Sequence, residues 1–194
     1  MRIDVDVARY AAAAFDVPGQ AAWRARIGGR YVLMTGGLAP EGGSLDLLEA
    51  HAIVVHEQAA LADVRVVITG GDGHADSDHV SEVASRIAEL GSTAVLLASV
   101  AEEELPSLVA GAAAFGYLPT RDATCVSALE ALAAGVPVVA RDFPDVRAVL
   151  GDVVVYGDNI LSIADALVDV LTDPPEPEPG VTLAASYAAP PAGS

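Results

Sequence analysis

Lysine is absent from this 194-residue chain, and all ten basic residues are arginines. No P-loop lysine, Schiff-base lysine or lysine phosphate clamp can operate here. Cysteine is almost as scarce. The single Cys125 rules out a disulfide framework within the chain and fits a cytoplasmic setting. Aromatic residues are only 5% of a chain that is 53% hydrophobic, an Ala/Val/Leu-rich mix that suits an α/β domain rather than disorder. Long apolar runs are missing too. None reaches the ~18 residues that a membrane-spanning helix needs, so no transmembrane segment is expected. The N-terminus, MRIDVDVARYAAAAFDVPGQ, lacks a basic region followed by an apolar core and does not read as a secretion signal.

Positive charge is outnumbered: 10 basic residues against 27 acidic ones leave a formal net charge of −17. Such a field repels nucleic acid and anionic lipid, which removes both from the expected partners. It also repels an anionic sugar nucleotide unless local cations or helix N-termini compensate. Solubility or a coding bias towards Arg, Ala and Gly accounts for the charge more simply than a high-salt adaptation does. The length leaves room for about one domain plus tails.

Three zones are visible. Residues 1–29 are a mixed lead-in with an Ala-rich stretch. Residues 30–173 alternate between short apolar runs and helical patterns. Residues 174–194, PPEPEPGVTLAASYAAPPAGS, read as a disordered tail with polyproline character near Pro174–Pro179. In the middle zone, Tyr31–Thr35, Val64–Thr69, Ala94–Leu97, Phe115–Leu118, Val136–Ala140 and Val153–Tyr156 read as buried parallel strands. Helical patterns lie between and after them at Leu45–Ala59, Val80–Leu90, Glu102–Ala112, Ser127–Ala134, Asp145–Leu150 and Ile160–Leu171. Strand–helix alternation with right-handed crossovers implies an α/β, Rossmann-like parallel sheet of about six strands, order 3-2-1-4-5-6, with helices on both faces. Ligands bind such sheets at the carboxyl ends of the strands, beside the switch point between the first and fourth. That points to Gly36–Gly43 and Pro119–Val126.

The first loop, TGGLAPEGGSLDLLEA, has four glycines that permit tight turns and close backbone approach to a ligand. It is neither GxGxxG nor a Walker A, and no acidic residue ends the second strand as a dinucleotide ribose partner. Alone, the glycines describe a turn. The second loop runs into LPTRDATCVSALEALAAGVPVVARD. A helix starting near Thr124 puts Glu130 in its second turn and Asp122 before its start. The N–H groups of Thr124, Cys125 and Val126 could then hold a phosphate, and Glu130 could accept two ribose hydroxyls. The plain alternative makes Asp122 an N-cap and Glu130 a solvated helix residue.

The stretches YVLMTGGLAPEGGSLDLLEA, DVRVVITGG, EEELPSLVAGA and above all SALEALAAGVPVVARDFPDVRAVLGD resemble the C-terminal domain of retaining GT-B glycosyltransferases of family 4, also called group 1. The likeness runs from Tyr31 to Asp173 and looks closest to an uncharacterised actinobacterial subfamily. The lead-in RIDVDVARYAAA resembles the linker between the two GT-B halves, so the resemblance implies a truncated protein without its acceptor-binding N-terminal domain. It implies a nucleotide diphosphate sugar as donor, no cofactor and no metal. The family's two glutamates, seven residues apart, map onto Asp122 near the donor sugar and Glu130 on the ribose. Its glycine loop maps onto Gly36 and Gly37, and its Gly-Phe-Gly onto Ala123, Thr124 and Cys125. Two departures stand out. The glycines of Gly-Phe-Gly are replaced, and Gly37, Glu41 and Gly42 stand where the family carries cations for the diphosphate. Removing one stabilising group of that kind from the transition state costs about 10²–10³-fold in rate. Arg121 is the nearby candidate to compensate. A donor domain inactive alone and a non-catalytic module with a degenerate site are both consistent with these residues. The first expects a separate acceptor-binding domain as partner, and an apolar face left uncovered expects self-association.

Other constellations are weaker. DGHADSDH places Asp72, His74, Asp76, Asp78 and His79 loosely like a divalent site, but without the turn glycine and distal glutamate of a calcium loop. His51 and His56 read as ordinary helix residues. Cys125 sits where a helix N-terminus could lower its pKa, but with no histidine partner identifiable it reads rather as a buried or semi-buried bystander.

Overall fold

The computed structural model describes residues 5–70, 76–121 and 124–188. Six strands form one parallel sheet: β1 (Tyr31–Met34), β2 (Arg65–Thr69), β3 (Ala94–Leu97), β4 (Ala114–Tyr117), β5 (Val138–Arg141) and β6 (Val155–Gly157). Their order is β3-β2-β1-β4-β5-β6, the arrangement expected from the alternating pattern. The helices are α1 (Val7–Ala13), α2 (Val17–Ile27), α3 (Ser44–Glu57), α4 (Ser77–Leu90), α5 (Leu105–Ala110), α6 (Val126–Ala133), α7 (Pro144–Leu150), α8 (Ile160–Thr172) and α9 (Pro177–Ala185).

The strands read as unbroken apolar runs because both faces are covered. Tyr31, Leu33, Val67, Phe115, Val138 and Ala140 point into one core, which α1, α2, α5, α6, α7 and α9 share. Val32, Met34, Val66, Ile68, Ala114 and Val139 point into the other, with α3, α4 and α8. The two-residue alternation of a pleated strand produces this division. Fully burying a large apolar side chain contributes roughly 1.5–3 kcal/mol, so these rows hold the sheet between its layers. The one polar atom that the Tyr31 ring carries inward is satisfied, its hydroxyl donating to the Leu108 carbonyl at 2.5 Å.

Two zones differ from the sequence expectation. The lead-in is a packed part of the domain: Tyr10, Ala13, Trp23 and Ile27 are buried in the first core. Asp16 ties it down, accepting from the Gly19 N–H at 3.1 Å and the Ser107 hydroxyl at 2.6 Å. The tail, expected to be disordered, forms α9 on the surface of α6. Proline is tolerated in the first turn of a helix, which lacks intrahelical N–H partners there. Gly180 and Ala184, one turn apart, are both buried, and a Cβ on Gly180 would lie 2.8 Å from Leu132 Cδ2. Small residues at that spacing let α9 approach closely. The bridge between Val5 and Ala188 then joins both ends of the described chain.

Candidate functional site

A cavity of about 540 Å³ opens at the carboxyl ends of β1, β2 and β3. Thr35 and Gly36 follow β1, Thr69 and Gly70 end β2, and Ala98 to Val100 follow β3. Thr124, Val126, Ser127 and Glu130, from the start of α6, form the opposite wall. Arg9 and Tyr10 of α1, with Glu102 and Leu105, complete it. This is the crevice that the switch between β1 and β4 creates.

The backbone at this site is shaped by a few residues. Gly36 turns the chain at φ +70°, a left-handed conformation that only glycine adopts without cost. Gly43, at φ +76°, lies so close to β4 that a Cβ would collide with the carbonyl oxygen of Leu118. Cys125, the N-cap of α6, is the single non-glycine residue with positive φ among the described residues, at 58°. Left-handed backbone costs a non-glycine residue roughly 1–2 kcal/mol. A glycine would adopt this conformation without that cost. The Cys125 N–H donates to the Tyr117 hydroxyl at 2.8 Å, which helps hold the turn.

Glu130 sits half-buried in the second turn of α6. Burial raises its carboxyl from an ordinary 4.5 to about 7, while Tyr10 and Arg9 draw it back down and Asp6 pushes it up. The solvated helix residue of the plain reading is therefore not what the structure contains. Arg9 is the one basic side chain among the described lining residues, and it is paired: its Nη1 lies 3.1 Å from Glu102 Oε1, and its Nη2 donates to the Glu102 carbonyl.

The structure brings Gly36, Thr124, Val126 and Glu130 to one cavity. Gly37, Arg121 and Cys125 are not among its described lining residues. Gly37 is packed, with a Cβ there only 2.7 Å from Ile68 Cγ2. Arg121 forms an ion pair with Glu41, and its guanidinium holds that carboxyl below the usual range. The Thr120 N–H donates to the Glu41 carbonyl at 2.9 Å, so the loops after β1 and β4 are stapled together at this pair. Cys125 is fully buried, as the bystander reading expects, and burial pushes its thiol pKa up rather than down. Asp122 lies outside the described residues. Sequence reasoning missed Arg9, Tyr10 and Glu102, because no local pattern ties the lead-in to α6.

Asp72 and His74 also lie outside the described residues. Asp76 caps α4, accepting from the N–H groups of Asp78 and His79 at 3.0 Å each. His79 Nε2 lies 3.2 Å from the Ser44 hydroxyl. Among the described residues no cluster of three or more His, Cys, Asp or Glu is placed to hold a metal ion. His51 is a core residue rather than an ordinary one: it is fully buried, and its Nε2 lies 2.9 Å from the Val64 carbonyl. No described helix is long and apolar enough to cross a membrane.

Solved structures share this architecture. An α,α-trehalose 6-phosphate synthase from Burkholderia multivorans superposes with a TM-score of 0.81 at 17% identity, over 96% of this chain and 46% of that one. The N-terminal domain of Candida albicans trehalose-6-phosphate phosphatase gives 0.77 at 17% identity, over 95% and 44%. This chain therefore spans less than half the length of these two relatives. The C-terminal domain of a group 1 family glycosyl transferase, LpcC, from Francisella tularensis gives 0.72 at 19% identity, over 88% and 93%. At such identities the likeness speaks for the fold: the sheet and its helices are the Rossmann-like half of a GT-B fold. No curated protein matches by sequence. The family model described as "Glycosyl transferases group 1" matches residues 29–173, most of the chain and the whole sheet, and the chain belongs to that family.

Proposed function

We propose that this chain is the donor half of a retaining glycosyltransferase of family 4, and that its cavity takes a nucleotide diphosphate sugar. One observation carries the reading. Glu130 stands on the cavity wall together with the first-turn residues of its own helix. The N-terminal N–H groups of an α-helix have no intrahelical partners and favour anions, while a carboxylate one turn further accepts paired hydroxyls. A ribose diphosphate needs both, in that order along its length. Thr124, Val126 and Ser127 face the diphosphate, Glu130 holds the ribose, and Asp122 serves the sugar end. The leaving diphosphate is stabilised by the helix start in a front-side displacement.

The same site is poorly equipped for catalysis alone. The Arg121 guanidinium is engaged by Glu41, the Cys125 N–H by Tyr117, and the Arg9 side chain by Glu102. These pairings favour a second reading, a binding module that keeps the donor fold without turnover. In the donor reading the acceptor is selected outside these residues, by another domain or chain. A cytoplasmic site of action suits the single free thiol.

Calorimetric titration with UDP, GDP and their sugars tests the proposal. UDP comes first because one structural relative is a UDP-forming enzyme. Binding tighter than about 100 μM (~5.5 kcal/mol) that Glu130→Ala abolishes supports a live donor site. Flat titrations with every nucleotide sink it. Sugar transfer to any acceptor by the isolated chain would remove the second reading.

A further inference from the structure

α1 borders the cavity with Arg9 and Tyr10 and is anchored at both ends. At its start, the Asp6 carboxylate accepts from the Arg9 N–H at 3.2 Å, and the Val5 N–H donates to the Tyr187 carbonyl at 3.3 Å. At its end, the Gln20 amide donates to the carbonyls of Ala13 and Ala14 at 2.9 and 3.0 Å. Between them, Arg9 pairs with Glu102, another residue of the cavity lining. Tyr10 is only 3% exposed and lines the same cavity as Glu130 of α6, whose carboxyl its hydroxyl draws down towards the ionised form.

Resting on the donor reading, we propose that Tyr10 is a positioning residue of the ribose site: its hydroxyl donates to Glu130, orients the carboxylate and leaves its remaining acceptor positions for a vicinal diol. A carboxylate offers about four lone-pair sites, so one phenol does not exhaust it. A free glutamate side chain loses rotamer entropy when a ligand orders it; a neighbour that orients it beforehand removes part of that cost. Among the described residues, Tyr10, Arg9 and Asp6 are the groups that act on the ionisation of Glu130. A donor hydrogen-bonded to the ionised carboxylate favours the charged form, which is the form that accepts two hydroxyls. Tyr10 therefore sets both where the carboxylate points and the pH at which it is ready.

Tyr10→Phe keeps the ring and removes only the donor. Two measurements test its effect. The ¹³C shift of the Glu130 carboxyl, followed against pH in the full chain, should titrate about one pH unit higher in Y10F than in wild type. UDP affinity should fall about fivefold at pH 7, as the ionised fraction of Glu130 drops from about half to about a tenth, and should recover near pH 9. The preference for UDP over 2′-deoxy-UDP should shrink in parallel at pH 7. An unchanged carboxyl titration, or a loss of UDP binding equal at every pH, overturns the role of Tyr10 while leaving the donor site standing. Wild-type protein that binds neither nucleotide overturns the donor reading itself, and the ribose role with it.

Discussion

Glu130 is held at the expense of folding stability, and removing its charge should return that stability. Its carboxyl rises from 4.5 to about 7 on folding, chiefly through burial. At roughly 1.4 kcal/mol per pH unit, this corresponds to about 3 kcal/mol as a limit. The side chain remains partly open to the cavity, so solvent screening reduces the figure to on the order of 1–2 kcal/mol. The sign follows from linkage. A group whose folded pKa is raised has its full stability below the unfolded value, and that stability is lost as pH rises through the folded one. Glu130→Gln keeps the shape and cannot ionise. It should match wild type near pH 4 and exceed it increasingly between pH 5 and 8. At roughly 2–4 °C per kcal/mol for a chain of this size, the gain in Tm at pH 8 is about 2–8 °C. Calorimetric or fluorescence melting across that pH range measures it, and the variant should at the same time lose nucleotide binding. A stability gain with a loss of binding is the pattern of a residue kept for a ligand. Equal stabilities of E130Q and wild type at pH 4 and pH 8 would refute the reasoning, since the carboxylate would then carry no desolvation cost.

Three further outcomes are expected. Gly43→Ala should cost more than about 2 kcal/mol in urea unfolding, because the side chain meets the Leu118 carbonyl at a positive φ; a loss under about 0.5 kcal/mol would show that the two loops can separate cheaply. Asp46→Ala leaves Arg141, 9% exposed as a side chain, without its ion-pair partner, so a loss of about 2–4 kcal/mol is expected in the same assay. Cys125 should react with a thiol reagent at least tenfold more slowly in native protein at pH 8 than in urea, since the thiol is buried and its pKa raised; equal rates would contradict that burial.

The strands were legible because each is a short apolar run between turn residues. Ala94–Leu97 matches at both ends, and most other boundaries moved by one or two residues. The helix expected from Val80 begins three residues earlier, at Ser77, because Asp76 caps the chain there and starts the turn. α9 escaped notice because its prolines resemble an extended tail, while the small residues that dock it have meaning only beside α6. Thr124, Val126 and Glu130 were found together because a helix start and its second turn are near one another in sequence. Tyr10 and Arg9 were not, since helical pattern in the lead-in carries no information about which distant wall it will cover.

By itself the sequence determined the α/β layers, the strand order and the family, because alternating β-branched runs and helical stripes are local patterns and the crossover rules leave few ways to assemble them. It also excluded every chemistry that needs lysine. Tertiary structure alone decided what surrounds each charge. It set Tyr10 against Glu130, engaged Arg121 with Glu41, and held Cys125 in a glycine's conformation. Those outcomes depend on burial and on the distance between residues far apart in the chain. Neither quantity exists until the layers have packed.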